Sequence, residues 1–206
     1  GTVLPFNYNN IEELEELVQN NEIGVIKMEV VRNEGPKDNF LEKVRHLATK
    51  NGIVLIFDEC TSGFRQSYGG IHKIHGVEPD MAVFGKALGN GYAVTAVIGR
   101  REIMESAQST FISSTFWTER VGSVAALKTL EVMQQEKSWE KITKTGGAVS
   151  KKWIELGEKY SLPLTVGGIP AISSFGFKSE NNLSYKTLIT QEMLKKGYLA
   201  TNLLFS

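Results

Sequence analysis

Along the first sixty positions the apolar residues follow two different rhythms, one of helical spacing and one continuous, and each change of rhythm marks an element. Ile11, Leu14, Leu17 and Val18 recur at helical intervals behind Asn10, a residue type that caps helices, and Ile23-Gly24-Val25-Ile26-Lys27-Met28 then reads as a strand. A second round follows at once. Asp38 stands where a cap would for a helix carrying Phe40, Leu41, Val44, Leu47 and Ala48, Asn51-Gly52 closes that helix, and Ile53-Val54-Leu55-Ile56-Phe57 is a run expected to be buried on both faces. The order αβαβ predicts an α/β fold with a mostly parallel sheet.

After a glycine-rich connection at 62–76, Pro79-Asp80 introduces a strand at Met81-Ala82-Val83-Phe84, and residues 94–99 give another. Residues 119–136 predict one long helix with Val121, Val124, Ala125, Leu127, Leu130 and Met133 facing inward, followed by a more polar helix from about Ser138 to Tyr160. Beyond Ser161, short strands near 163–166 and 171–177, a helix around 184–196 and a strand at 197–200 make an α+β pattern. A boundary near 137 divides the chain into a larger unit, 1–137, and a smaller one, 138–206. The acidic stretch Glu12, Glu13, Glu15, Glu16 is a solvated helix face.

Composition narrows the function classes. The 206 residues are 41% hydrophobic, with 23 basic residues against 23 acidic, which is enough apolar material for a core and no electrostatic footprint for nucleic acid or an anionic membrane. No apolar run approaches the length of a membrane span. A single cysteine, Cys60, permits neither an internal disulfide nor a zinc-type cysteine cluster, and a reducing compartment, the cytoplasm, is the expected home. The apolar ending Leu203-Leu204-Phe205-Ser206 is an unusual place for a domain to stop, so truncation is expected.

The chemistry concentrates between residues 53 and 91. Open α/β sheets bind ligands at the carboxyl ends of their strands, and Asp58 follows the apolar run there, although a strand-end acid can equally cap a turn. Lys86 follows the next strand, inside Phe84-Gly85-Lys86-Ala87-Leu88-Gly89-Asn90-Gly91, and glycines on either side present it at the same rim. An ammonium partly withdrawn from water there would free an amine to attack an aldehyde, and an acid nearby would keep a pyridine nitrogen protonated. Those are the two ends of a pyridoxal 5'-phosphate (PLP) site. The hydroxyls of Ser113-Ser114-Thr115-Phe116-Trp117-Thr118, just before a long helix, could hold a phosphate or simply cap that helix.

Rival readings are weaker. Four apolar residues before Asp-Glu also describe the magnesium strand of P-loop ATPases, but Gly85-Lys86 is followed by Ala87 instead of Ser or Thr, and Asp80 stands where the first glycine of the loop is needed. His72 and His75 have an i, i+3 spacing, yet no cysteine or carboxylate cluster completes a ligand set, so no metal is expected. Cys60, two residues beyond Asp58, can share its face; a lone cysteine is more often a small packing group than a nucleophile.

These residues carry a resemblance. Val25-Ile26-Lys27-Met28-Glu29, Leu55-Ile56-Phe57-Asp58-Glu59-Cys60-Thr61-Ser62-Gly63-Phe64-Arg65, Pro79-Asp80 and the lysine loop 85–91, in that order, resemble class III PLP-dependent aminotransferases, especially their glutamate-1-semialdehyde aminomutase-like branch. The resemblance implies a PLP-dependent transferase type I large domain, here its second half at 1–137, and part of the C-terminal small domain at 138–206. It implies that Lys86 forms the internal aldimine and shuttles a proton between the substrate α-carbon and the cofactor, and that Asp58 pairs with the pyridinium nitrogen. Cys60 matches a position, usually valine, that packs on the ring. Thr115 matches the threonine that reaches the phosphate of the neighbouring subunit in a homodimer, and Glu29 would stand behind the site.

Two departures bear on substrate. Thr61 replaces a glutamine that contacts the ring oxygen in many of these enzymes, and Trp117-Thr118-Glu119-Arg120 replaces their small Ser-Gly-Asn-Pro segment. Family members also carry an N-terminal half with a phosphate loop and a ring-stacking aromatic residue, so this chain alone is expected to bind PLP poorly. The expected function is amino-group transfer between a small-molecule donor and a carbonyl acceptor, or a 1,2-transfer within one substrate. A catalytically silent scaffold of the same fold is the alternative from another class.

Overall fold

The computed structural model describes residues 2–31, 33–116 and 118–204. The element order is α1 Ile11–Asn20, β1 Val25–Glu29, α2 Phe40–Lys50, β2 Val54–Asp58, α3 His72–His75, β3 Met81–Phe84, β4 Ala96–Gly99, α4 Arg101–Met104, α5 Arg120–Glu136, α6 Ser138–Lys159, β5 Leu164–Ile169, β6 Ile172–Phe177 and α7 Asn182–Lys195. One sheet has the order β1-β2-β3-β4, with β1, β2 and β3 parallel and β4 antiparallel to β3; β5 and β6 form a separate antiparallel hairpin.

Alternation along the strands decides which side of the sheet holds the core. Ile26 and Met28, Leu55 and Phe57, and Ala82 and Phe84 are buried on one face, most of them beneath α1 and α2, whose Ile11, Leu14, Phe40, Leu41, Val44 and Ala48 complete the packing. The opposite face carries Val25, Lys27, Val54, Ile56, Asp58, Met81 and Val83, which are half-buried or exposed. The run 53–57 is therefore buried on one face, not both. Asp80 ties the layers together, accepting from the Leu55 N–H at 2.8 Å and from Arg45 at 2.9 Å.

Three further expectations are corrected. Asp38 does not cap α2: it has a φ of 49°, the cap position falls on Asn39, and neither side chain bonds the helix amides. In α5 the buried or half-buried positions are Gly122, Ala125, Ala126, Thr129, Leu130 and Met133, while Val121, Val124 and Leu127 are exposed. The reason is close approach. A Cβ on Gly122 would stand 3.2 Å from the Tyr92 ring, so the helix meets the lysine loop through its small residues, and its larger ones turn outward. Residues 197–200 form no strand; among the described residues the only ladder contact nearby is an isolated bridge between Leu203 and Ser174.

The chain breaks sharply at Lys137, whose φ of 47° separates α5 from α6. The hairpin packs on α6, with the Trp153 and Phe175 ring centroids 4.9 Å apart and Ser150 donating to Ser173 at 2.7 Å. Its turn also reaches the first sheet: Ile169 joins the main core, and the Gly168 N–H donates to the Asn33 carbonyl at 3.1 Å. That docking sets the hairpin against the rim where β2 ends. Among the described residues no helix is long and apolar enough to cross a membrane.

Candidate active site

Asp58 is the last residue of β2 and lies on the open side of the sheet, opposite Glu29 in the parallel register with β1. Its Oδ2 accepts from Lys27 Nζ at 2.7 Å, and its Oδ1 accepts from the Cys60 N–H at 3.1 Å. Burial alone would raise its pKa; the two hydrogen bonds and the charges of Lys27 and Lys86 outweigh that and hold the carboxyl below its usual 3.8. Asp58 is thus an anion at neutral pH, and it lies close enough to Lys86 to feel its charge.

Lys86 opens a single 3₁₀ turn, Lys86–Leu88, directly after β3. Its φ of 43° lies in the left-handed region, which costs a non-glycine residue about 1–2 kcal/mol. The Lys86 carbonyl offsets this by accepting from the Gly89 and Asn90 N–H groups at 3.2 and 3.1 Å. The strain turns the side chain back toward the end of β2, where Nζ donates to Thr61 Oγ1 at 2.7 Å. Lys86 is exposed, and the expected partial withdrawal from water is not observed in this chain.

Cys60 packs against the base of that loop. A Cβ on Gly85 would stand only 2.6 Å from Cys60 Sγ, so the close approach of the two rim segments requires glycine there. Lys86 borders two spaces: an open groove of about 920 Å³ shared with Phe64, Arg65, Asn90, Tyr92 and Lys128, and a more enclosed cavity of about 290 Å³ shared with Val31, Asn33, Thr61, Ile169 and Ser174. Asp58, Cys60 and Lys86 are therefore brought to one rim. Thr115 is not; it lies in the exposed loop 111–116 and makes no hydrogen bond to any of them. Trp117 lies outside the described residues.

Several participants were not singled out from the sequence. Lys27 could have been: strand alternation puts it on the same side as Glu29, and Glu29 pairs with Asp58. Glu59 and His72 are a second buried group. Glu59 accepts from Ser62 Oγ at 2.5 Å and from the His72 N–H at 3.0 Å, and its Oε1 lies 2.8 Å from His72 Nδ1. Burial pushes the Glu59 carboxyl up, and the bonds from His72 and Ser62 more than reverse it, leaving the pKa below the usual 4.5. His72 is thus occupied by Glu59, and no group of three metal-ligating side chains occurs among the described residues.

The profile of the family described as Aminotransferase class-III matches residues 6–203. The chain belongs to the class-III aminotransferase family. A 3-aminobutyryl-CoA aminotransferase of Cloacimonas acidaminovorans is 35% identical over 92% of the chain, and a glutamate-1-semialdehyde 2,1-aminomutase of Methanococcus maripaludis is 32% identical over 95%. The chain spans about half the length of these curated relatives, 48% of each. Among solved structures, the PLP internal aldimine form of the Sphingopyxis sp. MTA144 FumI protein superposes with a TM-score of 0.89 at 21% identity, covering 97% of this chain and 51% of that one. Acetylornithine aminotransferase from Elizabethkingia anophelis gives 0.82 at 27% identity, covering 95% and 53%.

The α/β fold of this class-III chain is that of PLP-dependent aminotransferases, and PLP is the cofactor of the family. The residues at the rim fit two parts of that cofactor: an amine held at the strand end suits its aldehyde, and a carboxylate kept ionised by Lys27 and the Cys60 N–H suits its ring nitrogen. Thr115, expected at the phosphate of a neighbouring subunit, is exposed and outside this rim.

Proposed function

We propose that this chain carries the lysine and aspartate of a PLP-dependent amino-group transfer site, with Lys86 and Asp58 as its catalytic residues and Cys60 and Thr115 as further cofactor contacts. The observation that carries the reading is the shared rim: Lys86 Nζ sits on Thr61 Oγ1 at 2.7 Å, and Asp58, three residues before Thr61, is an anion within reach of the Lys86 charge. When bound, PLP supplies an electron sink for the pair left when a substrate α-carbon loses its proton.

The side chains of the protein do the rest. Asp58 would hold a proton on the ring nitrogen by charge pairing, with the Cys60 N–H keeping the carboxylate aimed. Lys86 Nζ would hold the cofactor at its aldehyde carbon, the aldehyde oxygen leaving as water, and once a substrate amine had taken its place on that carbon it would, as a free amine, take the proton from the substrate α-carbon. Cys60, wedged against Gly85, offers a small apolar contact beside the ring. Units 1–137 and 138–206 correspond, in this reading, to the second half of the PLP-binding large domain and part of the small domain.

The substrates are a small-molecule amino donor and a carbonyl acceptor, the assembly a homodimer to which Thr115 contributes across the subunit boundary, and the compartment the cytoplasm. Transfer within one substrate is the second reading, favoured by the similarity to the M. maripaludis aminomutase. The 206 residues by themselves are expected to bind PLP weakly, since family members draw on an N-terminal half with a phosphate loop and a ring-stacking aromatic residue.

Borohydride reduction after incubation of the intact protein with PLP tests the assignment. Peptide mass analysis should find the pyridoxyl group on the peptide containing Lys86, and Lys86→Ala should abolish it. An adduct that persists unchanged in Lys86→Ala removes Lys86 from the role. Conversion of the bound cofactor to its amine form by an amino acid, amine or amino sugar should follow; failure with every donor would favour the scaffold reading.

A further inference from the structure

The loop after β2 is fixed at nearly every residue, and the one side chain it offers to Lys86 is Thr61. The Cys60 N–H is tied to Asp58, and Ser62 Oγ donates to the fully buried Glu59. The Gly63 N–H donates to the Glu59 carbonyl at 2.8 Å, and Arg65 Nε donates to the Thr61 carbonyl at 2.8 Å. Glu59 in turn is bound to the backbone and ring of His72, thirteen residues on, so both ends of the glycine-rich connection close on one carboxylate. A loop held this way has little freedom to move the Thr61 hydroxyl away from where it is.

Lys86 is in the opposite situation. Its side chain is exposed and long, and such a chain loses about 2 kcal/mol of rotamer entropy when it is confined. The Thr61 hydroxyl is its one hydrogen-bond partner among the described residues. A hydroxyl is both donor and acceptor, so it can take a hydrogen bond from an ammonium and give one to a free amine. A carboxylate in the same place would favour the ammonium and could give nothing to the lone pair of the free amine, and an alkyl group would hold neither form.

We propose that Thr61 is a positioning residue for Lys86: fixed by the Glu59 clamp and by Arg65, its hydroxyl aims the amine along the rim of the sheet and stays bonded to it whether or not that amine carries a proton. The inference rests on Lys86 being the lysine that takes the cofactor. It gives a specific role to a position where the sequence departs from the glutamine common in the family.

The test uses the intact protein and PLP itself as probe, following capture of the cofactor by its visible absorbance and by borohydride trapping. Thr61→Val keeps the shape and removes the hydroxyl; the maximal capture rate should fall about tenfold, as expected for loss of one aiming hydrogen bond, while the half-saturating PLP concentration stays within about twofold. Thr61→Ser should restore the rate to within about twofold of the parent. Thr61→Ala replaces Val if the latter unfolds, with thermal unfolding as the control. A Val or Ala variant that captures PLP as fast as the parent overturns the proposal, and so does a Ser variant no better than Val. Lys86→Ala separates this from the underlying reading: capture that survives Lys86→Ala rejects Lys86, whereas capture lost in Lys86→Ala but unchanged in Thr61→Val rejects only Thr61.

Discussion

Asp58 and Glu59 are consecutive carboxylates at the end of one strand, and the structure gives them opposite surroundings. Asp58 faces the open side of the sheet, a quarter exposed, with Lys27 and Lys86 around it. Glu59 is fully buried on the other side, where Ser62 and His72 saturate it. Strand alternation separates them, because neighbouring side chains leave a pleated backbone in opposite directions. The same pair of letters therefore yields one acid available to a ligand and one that closes the loop presenting it.

If that division holds, the largest stability effect belongs to Glu59. Removing one partner of a buried, hydrogen-bonded pair leaves the others unsatisfied and costs about 3–5 kcal/mol, so Glu59→Ala should lower the unfolding free energy by that amount in a urea titration. A cost below about 1 kcal/mol would mean that the clamp is dispensable. The pH dependence has a definite sign. The folded-state pKa of Glu59 is depressed, so its contribution is complete above 4.5 and is lost as pH falls through the lower folded value. Glu59→Gln should flatten that acid limb.

The next effect reverses the pattern. Asp58→Asn keeps the size and gives up the charge, and its surroundings are wet enough that stability should change by about 1 kcal/mol or less. Amino-group transfer in the intact protein should instead fall at least about a hundredfold, the scale of losing a positioned proton-holding group. Glu59 variants that fold should keep far more activity than this one. An Asp58→Asn enzyme as fast as the parent would dissolve the distinction between the two acids.

Legibility follows the same division between local and distant causes. The Asp58 position could be read because a strand end is marked by the apolar run before it, and the lysine loop because glycines bracket it. The Lys86–Thr61 contact joins residues 25 apart through two irregular loops, and no periodicity encodes such a meeting. The α5 face differs from its spacing for a related reason: helical periodicity allows several stripes, and the choice falls to Gly122 against Tyr92, a tertiary contact. Asp38 has the right chemistry for a cap, but its left-handed backbone moves the helix start to the next residue. At 197–200 the apolar letters suit a strand, yet a strand forms only where a neighbour offers a ladder.

The smallest effect concerns Lys27, and it sharpens what kind of acid Asp58 is. The pair is short, 2.7 Å, but the lysine side chain is 58% exposed, so Lys27→Met should cost no more than about 1 kcal/mol at neutral pH. That cost should shrink in high salt. It should also start to fall below pH 3.8 and vanish as pH drops through the lower folded-state value, because the depressed Asp58 carboxyl contributes stability only while ionised in the folded chain. The informative readout is PLP affinity. If Asp58 serves the ring nitrogen, Lys27 competes for the same carboxylate, so its removal should leave PLP binding unchanged or tighten it by up to about fivefold. If Asp58 is only one half of a surface ion pair, Lys27→Met and Asp58→Asn should behave alike, and neither should alter how the intact protein holds its cofactor.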